Sequence, residues 1–208
     1  MVFKINVKGY FEENSYFFID EKTKHGFIID PGAEGEKLSE IIEYKNWTIE
    51  KILLTHGHFD HIGGIKFLKN KYSIPVYAHK ESDIYLLDTT MNLSRQCNLN
   101  MTSKADYYLE DDEIIKLEAN PNFYLQTIFT PGHTIDSCIF YNEGEKIAFV
   151  GDTIFKGAIG NPNYLGGNQR ELINSIVKKI FVLPNDTILY SGHSDETTVG
   201  IERKRYSM

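Results

Sequence analysis

Cysteine is scarce in this chain of 208 residues: Cys97 and Cys138 stand far apart and belong to no paired motif. A disulfide framework is therefore excluded, and two idle thiols suit a reducing cytoplasm. A basic excess is missing too. The formal net charge of -7 leaves no broad positive surface for a phosphate backbone, so nucleic acid is not expected as a partner. No apolar run approaches the roughly 20 residues of a membrane helix, so no membrane partner is expected either. The start, Met1 to Lys8, alternates like a half-buried strand and lacks the charged head, long apolar stretch and cleavage site of a secretory signal. No internal repeat, low-complexity tract or Pro/Gly/Ser-rich linker divides the chain. What remains is an ordinary soluble mix, 41% hydrophobic and 25% charged, long enough for one real core and short for two. Residues 1–208 read as a single cytoplasmic domain, ordered except at the last few residues.

Apolar periodicity places the elements. Ser15–Asp20 and Gly26–Asp30 read as strands flanking a turn near Lys22-Thr23-Lys24, and Leu38, Ile41 and Ile42 recur at helical spacing over about Glu34–Tyr44. Lys51–Thr55 is a short apolar strand, followed by a polar loop, a helix over His61–Lys71 and a strand at Pro75–Ala78. The stretch from Asp88 to Asp106 is polar and weakly periodic and reads as a long surface excursion. Strands resume at Ile114–Leu117, Phe123–Phe129, Cys138–Tyr141 and Ile147–Val150. A helix then spans about Gln169–Phe181, with Leu172, Ile173, Ile176, Val177 and Ile180 on its apolar face, before a last strand at Thr187–Tyr190. Strand pairs early, then mixed strands and helices, define an α/β domain with helices covering sheets.

Four of these strands end alike. Leu53-Leu54-Thr55 runs into His56-Gly57-His58-Phe59-Asp60-His61; the others run into Gly132-His133, Gly151-Asp152 and Gly192-His193. Five of the seven histidines fall in these places, which a surface scatter would not produce. Ligands gathered from several strand ends onto one sheet edge are how open α/β proteins build sites. In an extended segment His56 and His58 point the same way and can grip one metal ion. Asp60 and His61 lie further round the turn and can reach a second. That leaves His133 to complete the first position and His193 the second, with Asp152 as a carboxylate able to serve both. Imidazole with carboxylate suits two divalent cations, zinc first, with iron or manganese as options. The glycines before His133, Asp152 and His193 would let the backbone crowd close to whatever sits there.

Other polar residues receive plainer readings. His25 beside a turn and His79 at a strand end are read as structural or surface groups, and Asp111-Asp112-Glu113 as a solvated turn. Thr134 is read either as a group orienting a ligand or as a turn residue. Lys156 and Tyr164, on the loop after Asp152, are surface residues first and substrate contacts second.

The His56–His61 pattern, with Pro131-Gly132-His133, Gly151-Asp152 and Gly192-His193 behind it, resembles the metallo-β-lactamase superfamily over nearly the whole chain. The resemblance implies a four-layer αβ/βα sandwich, two mixed β-sheets face to face with helices on the outer faces, and the same division of metal ligands. Thr130–Thr134, Gly151–Phe155 and Gly192–Thr198 look like the glyoxalase II-related (hydroxyacylglutathione hydrolase-like) branch, whose members hydrolyse acyl-thioesters such as S-lactoylglutathione. About fifteen residues follow His193, too few for the C-terminal helical region that helps glyoxalase II hold glutathione, so a shorter single-domain relative is expected. Gly160-Asn161-Pro162-Asn163 stands where many relatives carry an Arg-Thr-Asp run, and the tail from Glu202 lacks the branch's closing Asn-Pro. Secreted β-lactamases would bring a signal peptide and a cysteine ligand, and the nucleases large extra modules and basic surfaces. Mononuclear iron persulfide dioxygenases share the pattern and are the alternative; in them His56, His133 and Asp152 would form the iron triad. A non-catalytic metal-binding domain is a weaker reading.

Two dications with Asp60, Asp152 and a bridging hydroxide carry about +1, a focus for a small anionic thioester or ester. Metal-activated hydroxide attacks the acyl carbon, with Asp60 as the catalytic carboxylate that accepts its hydrogen bond. A thiolate leaves with little need of protonation, which suits the lack of an obvious general acid.

Overall fold

The computed structural model describes residues 1–206. The expected disorder of the last residues concerns Ser207 and Met208, outside the described residues. The first sheet has the order β1-β2-β3-β4-β5-β6 and is built from β1 (Val2–Lys8), β2 (Glu12–Ile19), β3 (His25–Ile29), β4 (Thr48–Leu53), β5 (Val76–His79) and β6 (Tyr107–Leu109). β1, β2 and β3 are antiparallel, whereas β3 to β6 run parallel. Its crossovers carry α1 (Gly35–Lys45), α2 (Ile65–Tyr72) and the short α3 (Asp83–Leu86). The second sheet has the order β14-β13-β10-β9-β8-β7, from β7 (Ile114–Lys116), β8 (Tyr124–Phe129), β9 (Cys138–Asn142), β10 (Ile147–Gly151), β13 (Ile188–Ser191) and β14 (Thr197–Thr198). A small hairpin, β11 (Ile154–Phe155) with β12 (Ala158–Ile159), follows β10, and α4 (Gln169–Ser175) and α5 (Val199–Arg205) complete the chain.

Alternation along the strands makes the layers. Tyr16, Phe18, Phe27, Ile29 and Leu53 of the first sheet meet Cys138, Phe140, Ile147 and Phe149 of the second in the central core. Their neighbours Phe17, Ile19, Ile28 and Ile52 point the other way, onto Leu38, Ile42 and Leu68 of α1 and α2. Ile139, Ala148, Val150 and Leu189 turn outward onto Leu172, Ile176 and Ile180. The expected αβ/βα sandwich is the observed one.

Three local readings need correction. The helix placed at His61 starts at Ile65; Phe59–His61 form a 3-10 turn, and Gly63 and Gly64 donate to the carbonyls of Gly32 and Pro31. That backbone docking, which a side chain at Gly63 would obstruct, holds back the first turn of α2. The helix over Gln169–Phe181 is α-helical to Ser175 and then widens into a π-turn at Ile176–Ile180, leaving Ile173 and Val177 partly exposed. The Asp88–Asp106 stretch is not a simple surface excursion. Asn92, Ser94 and Ala105 are buried, and the Asn92 carbonyl accepts from the Phe59 amide. β6, β14 and α5 have no clear signal in the sequence, being three residues or fewer, or too short for a periodic pattern.

Strand direction brings the chemistry to one edge. β10 and β13 are parallel, so Gly151-Asp152 and Gly192-His193 leave the sheet side by side. β8 is separated from β10 by the antiparallel β9 and therefore runs with it, delivering His133 to the same edge. β3 and β4 end at that edge of the other sheet. The two sheets are stitched there by Cys138 N to Thr55 O, 2.8 Å, Asn14 N to Gly192 O, 2.8 Å, and Tyr16 OH to Ser191 O, 2.7 Å.

Candidate metal centre

All seven residues read from the sequence meet at this edge. Potential ligand atoms of His56, His58 and His133 lie within 4.8 Å of one another, as do those of Asp60, His61 and His193, and those of His56, His61 and Asp152. The three imidazoles of the first group are buried; His193 is the more open member of the second. Asp152 stands between the groups, with Oδ1 3.5 Å from His61 Nε2 and Oδ2 3.7 Å from His133 Nε2 and 3.5 Å from His193 Nε2.

The hydrogen bonds on the outer side of each ring set its tautomer, assigned from partners as hydrogens always are. His133 Nδ1 donates to Asn161 O, 3.0 Å, and His193 Nδ1 to Glu12 O, 2.7 Å. His61 Nδ1 donates to Asp30 Oδ2, 3.1 Å. The Thr55 hydroxyl is committed as donor to Asp30, 2.6 Å, so its oxygen accepts from His56 Nδ1 at 3.2 Å. In all four rings the Nε2 lone pair then points inward. His58 is turned the other way, its Nδ1 lying 3.1 Å from both His56 Nε2 and His133 Nε2.

These inward atoms face one another as acceptors. His61 Nε2 and Asp152 Oδ1 are buried, 3.5 Å apart and without a hydrogen-bond partner. Lone pairs turned on lone pairs in a buried site call for a cation between them. The 3.1 Å spacing of the first three imidazoles is close to the roughly 3.3 Å that two nitrogens about 2.0–2.1 Å from a tetrahedral ion would show. The residues fit the metal pair that the sequence pattern calls for.

Electrostatics agree. Burial, then the neighbouring imidazoles, holds His56 and His58 far below the usual histidine range, keeping them neutral as ligands must be. Burial presses His61 and His193 downward too, but Asp152 and Asp60, joined at His61 by Asp30, outweigh it and raise both: the carboxylates draw positive charge to these rings, and a proton or a metal ion would take the same inward Nε2 position. Asp60 is held low despite its burial, by the His193 contact at 3.3 Å and the charge of His61.

The secondary readings sort cleanly. His25 pairs with Glu50 at 2.7 Å, and His79 is buried, stacked on Phe129 with ring centroids 4.1 Å apart; neither joins the centre. Asp111 does more than cap a solvated turn, accepting from the Phe129 amide and from Lys179 Nζ, both at 2.7 Å. Thr134 bonds Ser137 Oγ at 2.6 Å, as a turn residue does. Tyr164 reaches the site, edge-on to His58 and His133, while Lys156 Nζ lies 3.4 Å from Asp195. Of the three glycines, Gly192 meets the expectation most directly: a Cβ there would sit 2.5 Å from Asp152 Oδ1 and 2.7 Å from His61 Cε1. Gly132, at φ 135°, instead lets the Leu172 backbone approach.

Three buried carboxylates escaped the sequence reading. Asp30 accepts from the Thr55 amide and hydroxyl and from His61, and it closes an apolar strand as the other ligand-bearing strands do, a signal that could have revealed it. Glu13 is pushed well above the usual carboxyl range by burial, and its Oε1 lies 3.9 Å from His61 Nδ1. Asp136 sits behind Gly57 with neither oxygen in hydrogen-bonding geometry. Burial raises it to about 6, against a weaker pull from Thr134, Ser82 and the Gly57 amide. An acid whose folded pKa exceeds its unfolded value of 3.8 contributes stability below pH 4 that is lost as pH rises through 6. In the metal-free protein, Asp136→Asn is thus expected to gain about 1–3 kcal/mol on wild type between pH 4 and 7. Urea unfolding of both across that range reads the difference; a pH-independent gap would contradict the assignment.

A sandwich of two mixed sheets whose adjoining edges gather five imidazoles and two carboxylates defines a protein with a candidate metal centre. The chain belongs to the metallo-beta-lactamase superfamily, whose family model matches residues 9–193. It is similar to "Probable metallo-hydrolase YqgX" of Bacillus subtilis, 40% identical over 94% of this chain and 91% of that one. It also resembles the hydroxyacylglutathione hydrolase GloC of Haemophilus influenzae, 32% identical over 93% and 91%. Among solved structures it is similar to the BLEG-1 B3 metallo-beta-lactamase, with TM-score 0.92 and 34% identity over 98% and 97% of the chains. TTHA1623 in a di-iron-bound form follows at TM-score 0.85 and 29% identity over 99% and 98%. Membership supports a metal-dependent hydrolase. Among the described residues no helix is long and apolar enough to cross a membrane.

Proposed function

We propose that the protein hydrolyses small thioesters or esters with two divalent cations, His56, His58 and His133 holding one, Asp60, His61 and His193 the other, and Asp152 touching both. The observation that carries this reading is the convergence of unpartnered imidazole and carboxylate lone pairs beside a cavity of about 380 Å³. Likeness to GloC supports the thioester, and the di-iron form of TTHA1623 supports a pair of ions, zinc or iron.

When bound, such cations acidify water and stabilise negative charge developing on the acyl oxygen. The chain does the rest. Asp30 and Thr55 fix the rings of His61 and His56, and Asn161 and Glu12 fix those of His133 and His193. Asp60, half-buried and kept ionised, offers an oxygen that can accept a hydrogen bond from an attacking water and orient its lone pair. The water oxygen bonds the acyl carbon, the C–S bond breaks, and the thiol departs as thiolate that takes up the proton. The cytoplasm is the fitting compartment, since Cys97 and Cys138 are both free thiols.

The test is a panel of acyl-thioesters, oxygen esters and β-lactams assayed on metal-loaded protein. β-Lactams belong in it because of the likeness to BLEG-1. Thioesters are expected to lead, since an amide nitrogen must be protonated to leave; hydrolysis should fall at least about a hundredfold with chelator and return with zinc or iron. Chelator-resistant hydrolysis, or β-lactams ahead of every thioester, would overturn the proposal.

A further inference from the structure

The cavity beside the metal centre has walls of a kind that the metal chemistry does not require. Phe11 and Phe59 form one wall, with ring centroids 5.9 Å apart, and Tyr10 extends it, 5.0 Å from Phe11. Leu93 lines another side, held at φ 70°, and Phe155 stands edge-on to His193 at 6.3 Å. Tyr164 closes the far side on a loop anchored from below: the buried Tyr85 donates to Leu165 O, 3.1 Å, and accepts from Ile135 N, 3.0 Å. Tyr10 is 61% exposed, Phe11 49% and Tyr164 40%, so large apolar surface faces solvent at the lip. Such surface concentrated at the mouth of a polar site is what marks a ligand contact.

Charge narrows the ligand. Among the described residues no Lys or Arg lines the cavity, and the carboxylates on it are Glu12, Asp60 and Asp152. Lys156 is turned to Asp195, and Lys8 stands 3.9 Å from Glu12 on the outer rim. A peptide thiol such as glutathione would bring two carboxylates to a lip whose neighbouring cations, Lys8 and Lys156, already face Glu12 and Asp195.

We propose that the Phe11–Phe59–Leu93–Tyr164 lip binds an uncharged aryl or branched alkyl group, making apolar thioesters, rather than glutathione thioesters, the substrates of this site. The claim rests on the hydrolase reading for its reaction but not for its binding. One end of the substrate, the carbonyl, meets the metal centre; the other lies between the rings of Phe11 and Tyr164, where desolvation of apolar surface supplies the preference.

Two measurements on the metal-loaded full chain separate the two ideas. The first compares kcat/KM for S-benzyl thioacetate and S-acetylglutathione; a preference of at least about tenfold for the benzyl ester is expected. In Phe11→Ala and Tyr164→Ala the loss for the benzyl ester should exceed that for the glutathione ester at least about fivefold. The second is calorimetric binding of phenylacetate against acetate, expected to favour phenylacetate about tenfold and to lose that preference in Phe11→Ala. Equal or better turnover of the glutathione ester, or phenylacetate bound no more tightly than acetate, would overturn the apolar lip and leave the hydrolase intact. Tight, Phe11-dependent phenylacetate binding with no thioester turned over would uphold the lip and remove the hydrolase.

Discussion

Asp152→Ala is expected to lower thioester hydrolysis by at least about a thousandfold, roughly 4 kcal/mol of transition-state stabilisation. Its carboxylate faces residues of both proposed ligand sets, His61, His133 and His193, at 3.5 to 3.7 Å. In the proposed two-ion site, removing it would take one negative charge from between the cations, leaving the first set three imidazoles and the second two imidazoles with Asp60. The retained metal should therefore fall to one ion per chain or fewer, and the ion lost should be hard to restore by excess. Folding should survive. The strand end is held by backbone bonds, Gly192 N to Gly151 O at 3.0 Å among them. Asp152→Asn keeps the shape without the charge and should retain more metal than the alanine variant while remaining slow. Near-normal hydrolysis in Asp152→Ala with two ions bound would show that another group joins the sites.

The second large effect separates the hydrolase from a mononuclear iron dioxygenase. In the two-ion reading His61 and His193 hold half of the centre, so His61→Ala and His193→Ala should each remove at least about a hundredfold of the hydrolysis, as should His133→Ala. An iron oxygenase needs only His56, His133 and Asp152, with open positions for oxygen, and would tolerate the first two changes. Each variant is to be assayed for thioester hydrolysis and for oxygen uptake with glutathione persulfide. The expected result is loss of hydrolysis in all three and no oxygen uptake in wild type. Oxygen consumption that survives in His61→Ala and His193→Ala and vanishes in His133→Ala would reverse the assignment. His61 is the more severe test of folding, being fully buried and bonded to Asp30, so His193→Ala, at the open side, carries the argument if His61→Ala fails to fold.

Much of this architecture was legible in the sequence because two signals are strong there. Short apolar runs bounded by polar turns, such as Tyr16-Phe17-Phe18-Ile19, read as strands, and the pleat of the strand then sends alternate residues into two cores. Imidazoles clustered after strand ends identify the edge where ligands gather. What was missed lacks such a signal. Glu13 and Asp136 are carboxylates in local sequence no different from surface turns, and only the packing of Gly32 and Gly57 against them shows that they are buried. The lip is assembled from positions 11, 59, 93, 155 and 164, on five segments whose proximity only the fold creates. The π-turn after Ser175 keeps the apolar spacing of an α-helix at Leu172 and Ile176, so the pattern cannot distinguish the two.

The central claim is that seven side chains hold two ions, and metal stoichiometry tests it most directly. Metal-free protein is titrated with zinc, and separately with ferrous iron under nitrogen, and analysed for bound metal after exhaustive dialysis, with hydrolysis followed at each addition. The account predicts two ions retained per chain, activity that rises steeply only as the second is added, and one ion in His193→Ala. Saturation at a single ion per chain with either metal, with full hydrolysis reached at that point, would contradict it.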